Sequence, residues 1–513
     1  MKNSYWVWVL VLFTVLAVVF HFSSLNIPES YSFYYLGLGN FLREQGLFNT
    51  DFTYLPYTTI KDFGVSLWYG FGIFMIPFSL LGSPIGIKLA GLILTFFALC
   101  SFYFVNIKNK LRWPWLWPLL LFFISPNILV TFLMVRPQLL SFGFGILLFH
   151  FLIKRVFWGI ILSSFALVWF HMNFAWLPII ILGVVILTRL LVEKWMDWKI
   201  GALTILGILT GWLSRPEPLN AAKLFYIQIF KLIFEQQGGL PLLFGKENLP
   251  LSAGILFTNF ILFLFIWLVA LGFLIHARLI KKMFLESREL VFLWSAAILS
   301  TGFFLITVTV ARKGYGLWAA FGILLIAGIW TFLTPKIFLY RQKYVDRKIG
   351  MVLIVCLAVL SFYSSYRNSM SMREIAFPPD KLKEVAFWLK DNSAFGDVIF
   401  NIHWSHFSPL FFWNQKNYYV GGLDPIFQYS YNESLYWKFH YLSADIVTKK
   451  TCGYIECSRD MLEDTYEVLK QDFNAKYLVL DKNQNPAVYF FLNNDSRFEN
   501  KFENKNEVIF MVK

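Results

Sequence analysis

Charge is what this sequence has least of. Asp, Glu, Lys and Arg make up 15% of its 513 residues, against about 25% in a soluble globular domain, which excludes water as the main solvent for most of the chain. Cysteine is scarce too, with four in all. Cys100 and Cys356 lie in apolar runs, while Cys452 and Cys457 share the polar segment TCGYIEC; their spacing permits a disulfide outside the cytoplasm without requiring one. A phosphate loop of the GxxxxGK[ST] type is absent, which removes a primary pump. There is no internal repeat and no low-complexity tract. The N-terminal run MKNSYWVWVLVLFTVLAVVFHF has no small-residue cleavage site before Pro28, so it reads as an uncleaved signal-anchor helix.

What fills the chain instead is apolar: 58% hydrophobic and 20% aromatic residues, with a mean hydropathy of +0.58. Apolar runs fall at 5–22, 66–82, 85–105, 114–134, 137–153, 156–171, 174–191, 200–213, 254–275, 290–310, 316–334 and 349–366. Runs of ~18 to 22 residues can cross a hydrocarbon core about 30 Å thick, and in lipid they must be helical because nothing else satisfies the backbone. The formal charge of +14 sits largely in short loops, with Lys108, Lys110 and Arg112, Lys154 and Arg155, the 194–199 loop, Arg278, Lys281, Lys282 and Arg288, and Lys336, Arg341, Lys343, Arg347 and Lys348. That placement is the positive-inside pattern and not a nucleic-acid surface.

If those five loops are cytoplasmic, the region after Tyr366 is outside, with Arg136, His171, Arg215 and Arg312 on the same side. Only one crossing then fits between Asp62 and Lys108, so 66–82, with Gly70, Gly72 and Pro77, is expected to be re-entrant or interfacial. The expectation is eleven transmembrane helices, with twelve as the alternative. Residues 1–370 form the transmembrane domain, and 371–513, where apolar runs shorten and charges become frequent, form a small extracytoplasmic α/β domain. In it KLKEVAFWLKDN reads as a helix, and DVIFNIHW, YYVGG, KYLVLD, AVYFFL and EVIFMVK as strands.

The segment 23–65 carries three notable acids, Glu29, Asp51 and Asp62. An acid fixed at a helix end near the bilayer surface is placed to act as a general base or a metal ligand; it is equally placed to be a solvated loop carboxylate. The order of features here, Pro28-Glu29-Ser30, then Tyr34, then GNFLREQG ending at Gly46, then Lys61-Asp62-Phe63-Gly64, resembles the GT-C superfamily of membrane glycosyltransferases, which includes protein O-mannosyltransferases and aminoarabinose transferases. Glu29 stands where that family usually has Asp. The resemblance implies a polytopic helical fold and transfer of a sugar from a polyprenyl phosphate or diphosphate to an acceptor hydroxyl. It also implies a role for Glu29, and secondarily Asp62, as the catalytic base, with Mg²⁺ or Mn²⁺ as a possible cation on the same two acids.

A leaving phosphate needs cations, and Arg holds two phosphate oxygens at once. Arg312 and Lys313 in VARKGYG lie against the positive-inside bias, which marks them as a phosphate clamp or as snorkelling helix ends. Arg136, next to Pro137 and Gln138, either pairs with a loop acid or contacts substrate. His171, Asn173 and Asp51 are candidates to bind sugar or acceptor hydroxyls, with Arg215 and Glu217 ranked below them. No metal-ligand spacing surrounds His171. His403, Trp404, His406, Trp413 and Asp424 form either an acceptor surface or a domain core, and the 214–253 loop, with Lys223 and Lys231, either lies on the membrane surface or simply connects two spans.

The leading reading is therefore a glycosyltransferase of the cytoplasmic (inner) membrane, part of the cell-envelope machinery. Its partners are the bilayer, a lipid-linked sugar donor and a glycan, lipid or protein acceptor, with no nucleic acid. The alternative is a transporter or flippase, or a non-catalytic assembly subunit, for lipid-linked glycans.

Overall fold

The computed structural model describes residues 5–239, 245–279, 285–333, 342–447, 451–452 and 462–513; Cys457, and with it the Cys452–Cys457 pairing, lies outside them. Within the described residues, the long apolar runs between 5 and 366 are built of helix. Among the described residues seven helices are long and apolar enough to cross a membrane: Tyr5–Phe22, Ile85–Lys108, Met172–Glu193, Ile261–Leu279, Ser287–Thr309, Arg312–Leu333 and Lys348–Glu374. Four shorter apolar helices, Ser66–Ser79, Gln138–Lys154, Phe157–Phe170 and Trp198–Leu213, accompany them. The chain is a multi-pass membrane protein.

One further pair of helices is sharply bent, the geometry of a broken span or of a re-entrant loop. Leu116–Phe123 and Pro126–Leu133 pass the same test together but meet at 98°. Pro126 has no N–H and disfavours helix in the residue before it. Ser125 accordingly turns extended and its hydroxyl accepts from the Asn127 N–H, capping the second half.

Two compact units emerge. The first comprises 1–28, 88–214 and 246–376, and the second 29–87, 215–245 and 377–513. In the first, Trp198–Leu213 packs on Phe157–Phe170 and Ser287–Thr309 on Tyr315–Gly328. Buried Lys88 donates to the Asn26 carbonyl at 2.6 Å, fastening the chain that leaves the first span.

The second unit holds a mixed five-stranded sheet in the order 418–419, 398–401, 475–481, 507–512, 498–503. The first three strands are parallel, with Ile399 opposite both Tyr419 and Tyr477, and the last two are antiparallel. Phe400, Leu478, Leu480 and Phe510 face a core shared with Phe439, Phe473 and Val488. Two expectations change here. AVYFFL is not a strand but part of the helix Pro486–Asn493, because Pro486 opens it and the Asp445 carboxylate accepts from the Ala487 and Val488 N–H groups. The polar run Phe498–Glu503 is an edge strand that the sequence reading passed over.

The segment after the first span is stitched to this domain. The Tyr419 N–H donates to the Tyr54 carbonyl (2.8 Å), the Thr59 N–H to the Phe427 carbonyl (3.1 Å) and the Gln415 amide to the Gly37 carbonyl (3.0 Å). The helix Tyr31–Gln45 meets Tyr69–Ser79 so closely that a Cβ on Gly39 would lie 3.0 Å from the Met75 backbone. Gly64 is more tightly constrained: its φ is +64° and a Cβ would sit 2.2 Å from the Thr50 carbonyl oxygen. Gly64→Ala is expected to cost about 1–3 kcal/mol, read as a lowered thermal midpoint of the purified protein in detergent, whereas alanine at Gly46, where nothing lies within 4 Å of the added Cβ, meets strain but no clash and should cost less.

Candidate functional site

The sequence-predicted site residues divide between the two units. Glu29, Asp51, Asp62, Arg215 and Glu217 lie in the second; Arg136, Gln138, His171, Asn173, Arg312 and Lys313 lie in the first.

In the second unit the three acids have different surroundings. Glu29 occupies the turn between the first span and the helix Tyr31–Gln45 and is 6% exposed, whereas Asp51 and Asp62 are exposed. A carboxylate just before a helix is favoured by the N–H groups that the first turn leaves without helical partners. Tyr34, one turn on, is fully buried, edge-on to Trp68 at 5.7 Å and against Phe407 and Phe411 of the C-terminal domain. Tyr31 reaches Trp404 with ring centroids 6.2 Å apart. Buried Arg215 donates to the Ser66 carbonyl at 2.8 Å, and the Ser66 hydroxyl to the Pro216 carbonyl at 2.5 Å, so the pair fastens the 214–217 turn to the start of the Ser66–Ser79 helix. Burial pulls the Arg215 guanidinium down to about 10. Glu217 accepts from the Asn220 amide at the start of its own helix.

The histidine-rich turn of the C-terminal domain is mostly architecture. His403 caps its turn by accepting from the Ser405 N–H, His406 is buried, Asp424 caps the helix Pro425–Tyr431, and Trp413 donates to the Lys381 carbonyl.

In the first unit the cations converge on a residue that sequence reasoning missed. Arg136 Nη1 stands 3.3 Å from Glu247 Oε1. The Glu247 turn is held against the Arg312–Gly314 turn by backbone bonds, Arg312 N–H to the Leu249 carbonyl (2.8 Å) and Leu251 N–H to the Thr307 carbonyl (2.9 Å). Burial would push the Glu247 carboxyl up, but the Arg136 guanidinium, the Lys313 ammonium and hydrogen bonds outweigh it and hold the group at about 2. Beside them the Tyr315 hydroxyl meets the Thr131 hydroxyl at 2.7 Å. Gln138 and Thr131 line a cavity of about 20 Å³ walled by Phe132, Leu139, Phe142 and Phe174, room for about one water. His171 Nδ1 bonds the Ser141 hydroxyl at 2.7 Å and its ring stacks on Phe174, which fixes its orientation. Asn173 lies half-buried in the next turn. The signal for Glu247 was present in the sequence: between Glu235 and Glu286 there is no other carboxylate.

The fit of a divalent cation was tested on the donor set. Among the described residues no three His, Cys, Asp or Glu side chains are grouped to hold a metal ion, and of the two acids expected to do so, one is buried and the other exposed. Among the described residues, these side chains build no all-protein cation cage.

The fold is made of apolar helices, some broken or short, and a small mixed α/β sheet domain. Among solved structures it is similar to the crystal structure of ArnT from Cupriavidus metallidurans bound to undecaprenyl phosphate, at a TM-score of 0.55 and 12% identity, over 99% of this chain and 98% of that one. No protein-family model matches the sequence, and no curated protein matches it.

The Glu247 carboxyl is depressed in the folded state relative to about 4.3 in the unfolded chain. Its contribution to stability is therefore complete above about pH 4.5 and is lost as the pH falls through about 2. Thermal midpoints of wild type and Glu247→Gln should converge as the pH falls below about 2 and separate as it rises to 5, with the variant the less stable. Equal midpoints at pH 7 would remove the ion pair as a stabilising contact.

Proposed function

We propose that this chain is a membrane glycosyltransferase that moves a sugar from a polyprenyl-phosphate-linked donor to an acceptor hydroxyl on the outer face of the inner membrane. Residues 1–370 form the membrane domain, residues 371–513 lie outside the cytoplasm, and 66–82 does not cross. The observation that carries the reading is the burial of Glu29, alone among the acids of segment 23–65, at a helix start in a chain that shares its fold from end to end with ArnT, whose crystal structure is described as bound to undecaprenyl phosphate.

In the reaction, Glu29 takes the proton of the acceptor hydroxyl as its oxygen attacks the anomeric carbon. The bond from that carbon to the phosphate oxygen breaks, and its electron pair leaves on the phosphate. Direct displacement inverts the anomeric centre. In this reading Arg136, Lys313 and Arg312 are assigned the positive charge that the growing phosphate charge requires, and Gln138, His171, Asn173 and Asp51 the role of polar partners for sugar or acceptor. Asp62, being exposed, is the second candidate for the base. A buried carboxylate has the advantage that water does not compete with the acceptor for it.

The test is transfer of radiolabelled sugar from a polyprenyl-phosphate donor pool by purified protein in lipid. Glu29→Gln is expected to lower turnover about 10²- to 10⁴-fold, the usual worth of a general base, while donor binding persists. Asp62→Asn should stay within severalfold of wild type. Activity retained in Glu29→Gln would remove the base assignment. Absence of transfer by wild type across a broad donor set would favour the transporter or assembly-subunit reading.

A further inference from the structure

The cation cluster of the first unit already contains an anion. Arg136 and Glu247 form a close pair, yet the Glu247 side chain keeps 31% of its surface uncovered by protein, so its carboxylate has room to turn. Its backbone does not share that freedom, being tied to Arg312 and Thr307 through Leu249 and Leu251. Any displacement from Arg136 is thus a side-chain rotation on a fixed turn.

The charge arithmetic of the proposed reaction gives this arrangement a meaning. A lipid-phosphate-sugar donor is a phosphodiester with one negative charge. The leaving lipid phosphate is a monoester that carries about −1.5 to −2 near pH 7, its second ionisation lying near 6. Of the three cations, Arg136 and Lys313 are the two that act on Glu247, and that pair offers two positive charges. With Glu247 in place the net is one, matched to the donor; with Glu247 turned away it is two, matched to the leaving group.

We infer that Glu247 is a resident anion in the Arg136–Lys313 site, displaced as the phosphate acquires its second charge, so that it sets the preference of the site between a phosphodiester and a phosphate monoester. The inference rests on the glycosyltransferase reading. Glu247 here is a specificity-determining residue: it does not touch the reacting bond but decides how much positive charge the phosphate meets. By competing with the monoester it also limits how tightly the product is held.

The experiment measures binding of two probes to the purified full-length protein in neutral-lipid nanodiscs at pH 8: undecaprenyl phosphate and its methyl ester, a phosphodiester of the same chain. In Glu247→Gln, affinity for undecaprenyl phosphate should rise about tenfold, and that for the methyl ester by less than about threefold, because the removed charge competes most with the second phosphate charge. Glu247→Asp, which keeps the charge, should stay near wild type, and Glu247→Ala provides a second neutral variant should Glu247→Gln fail to fold. A purely structural role for the ion pair predicts the opposite sign, weaker binding accompanying lower stability. Unchanged or weaker binding of undecaprenyl phosphate, or an equal gain for both probes, overturns the inference while leaving the functional reading intact. Failure of wild type to bind either probe overturns both.

Discussion

Hydrocarbon offers no hydrogen-bond partner to a peptide group, and the remaining features of this chain are arranged around that constraint. It makes every apolar run a helix and makes each interruption local and capped. The 98° break between Leu116–Phe123 and Pro126–Leu133 is tolerated because Ser125 satisfies the Asn127 N–H. It also sends polar chemistry to the junctions between helices. Arg136 precedes one helix, His171 separates two, and Arg312 and Lys313 fill the short turn before another. The fold thus fixes where charge can stand before any question of function arises.

The second unit answers a different constraint, that a loop polar enough to leave the membrane must still be made rigid if it is to position a catalytic group. Segment 29–87 achieves this by packing as if it belonged to the C-terminal domain. Tyr34 inserts among Phe407, Phe411 and Trp68, and backbone bonds from Tyr419 and to Phe427 hold the chain on either side of residue 55. The consequence is chemical. Glu29 is buried because the helix it precedes is buried on nearly every side, while Asp62, on a helix of four residues, is left in solvent. Two carboxylates of one loop acquire different surroundings through contacts made some 380 residues further along the chain.

That distance marks what the sequence could and could not disclose. The spans were readable because a long apolar run has one solution in lipid; the helix at 383–392 and the strands at 475–481 and 507–512 were readable from pattern and length. AVYFFL was misread because a short apolar run fits either element, and what decides it is Asp445, a cap supplied by a distant segment. Phe498–Glu503 was missed because an edge strand needs only one apolar face. At the site, Glu29 could be nominated by position, but its separation from Asp51 and Asp62 is a matter of burial and so of tertiary contacts. Glu247 was overlooked for the same reason: a lone acid in a loop looks solvated until the backbone bonds that hold its turn against Arg312 and Thr307 are known.

The pairing of Arg136 with Glu247 also dissolves an apparent choice. Structural partner and substrate contact were rival roles for Arg136, yet a cation half-buried at a membrane junction cannot wait for substrate without some counter-ion, since an uncompensated charge in such surroundings is costly. A phosphate clamp in this position therefore needs a resident anion, and one held too strongly would shut the clamp. Glu247 meets both demands: it is close enough to be depressed by its cationic neighbours, and uncovered enough by protein to turn away. Under the proposed function, the structural contact and the functional one would be successive states of the same guanidinium, separated by the rotation of a single side chain.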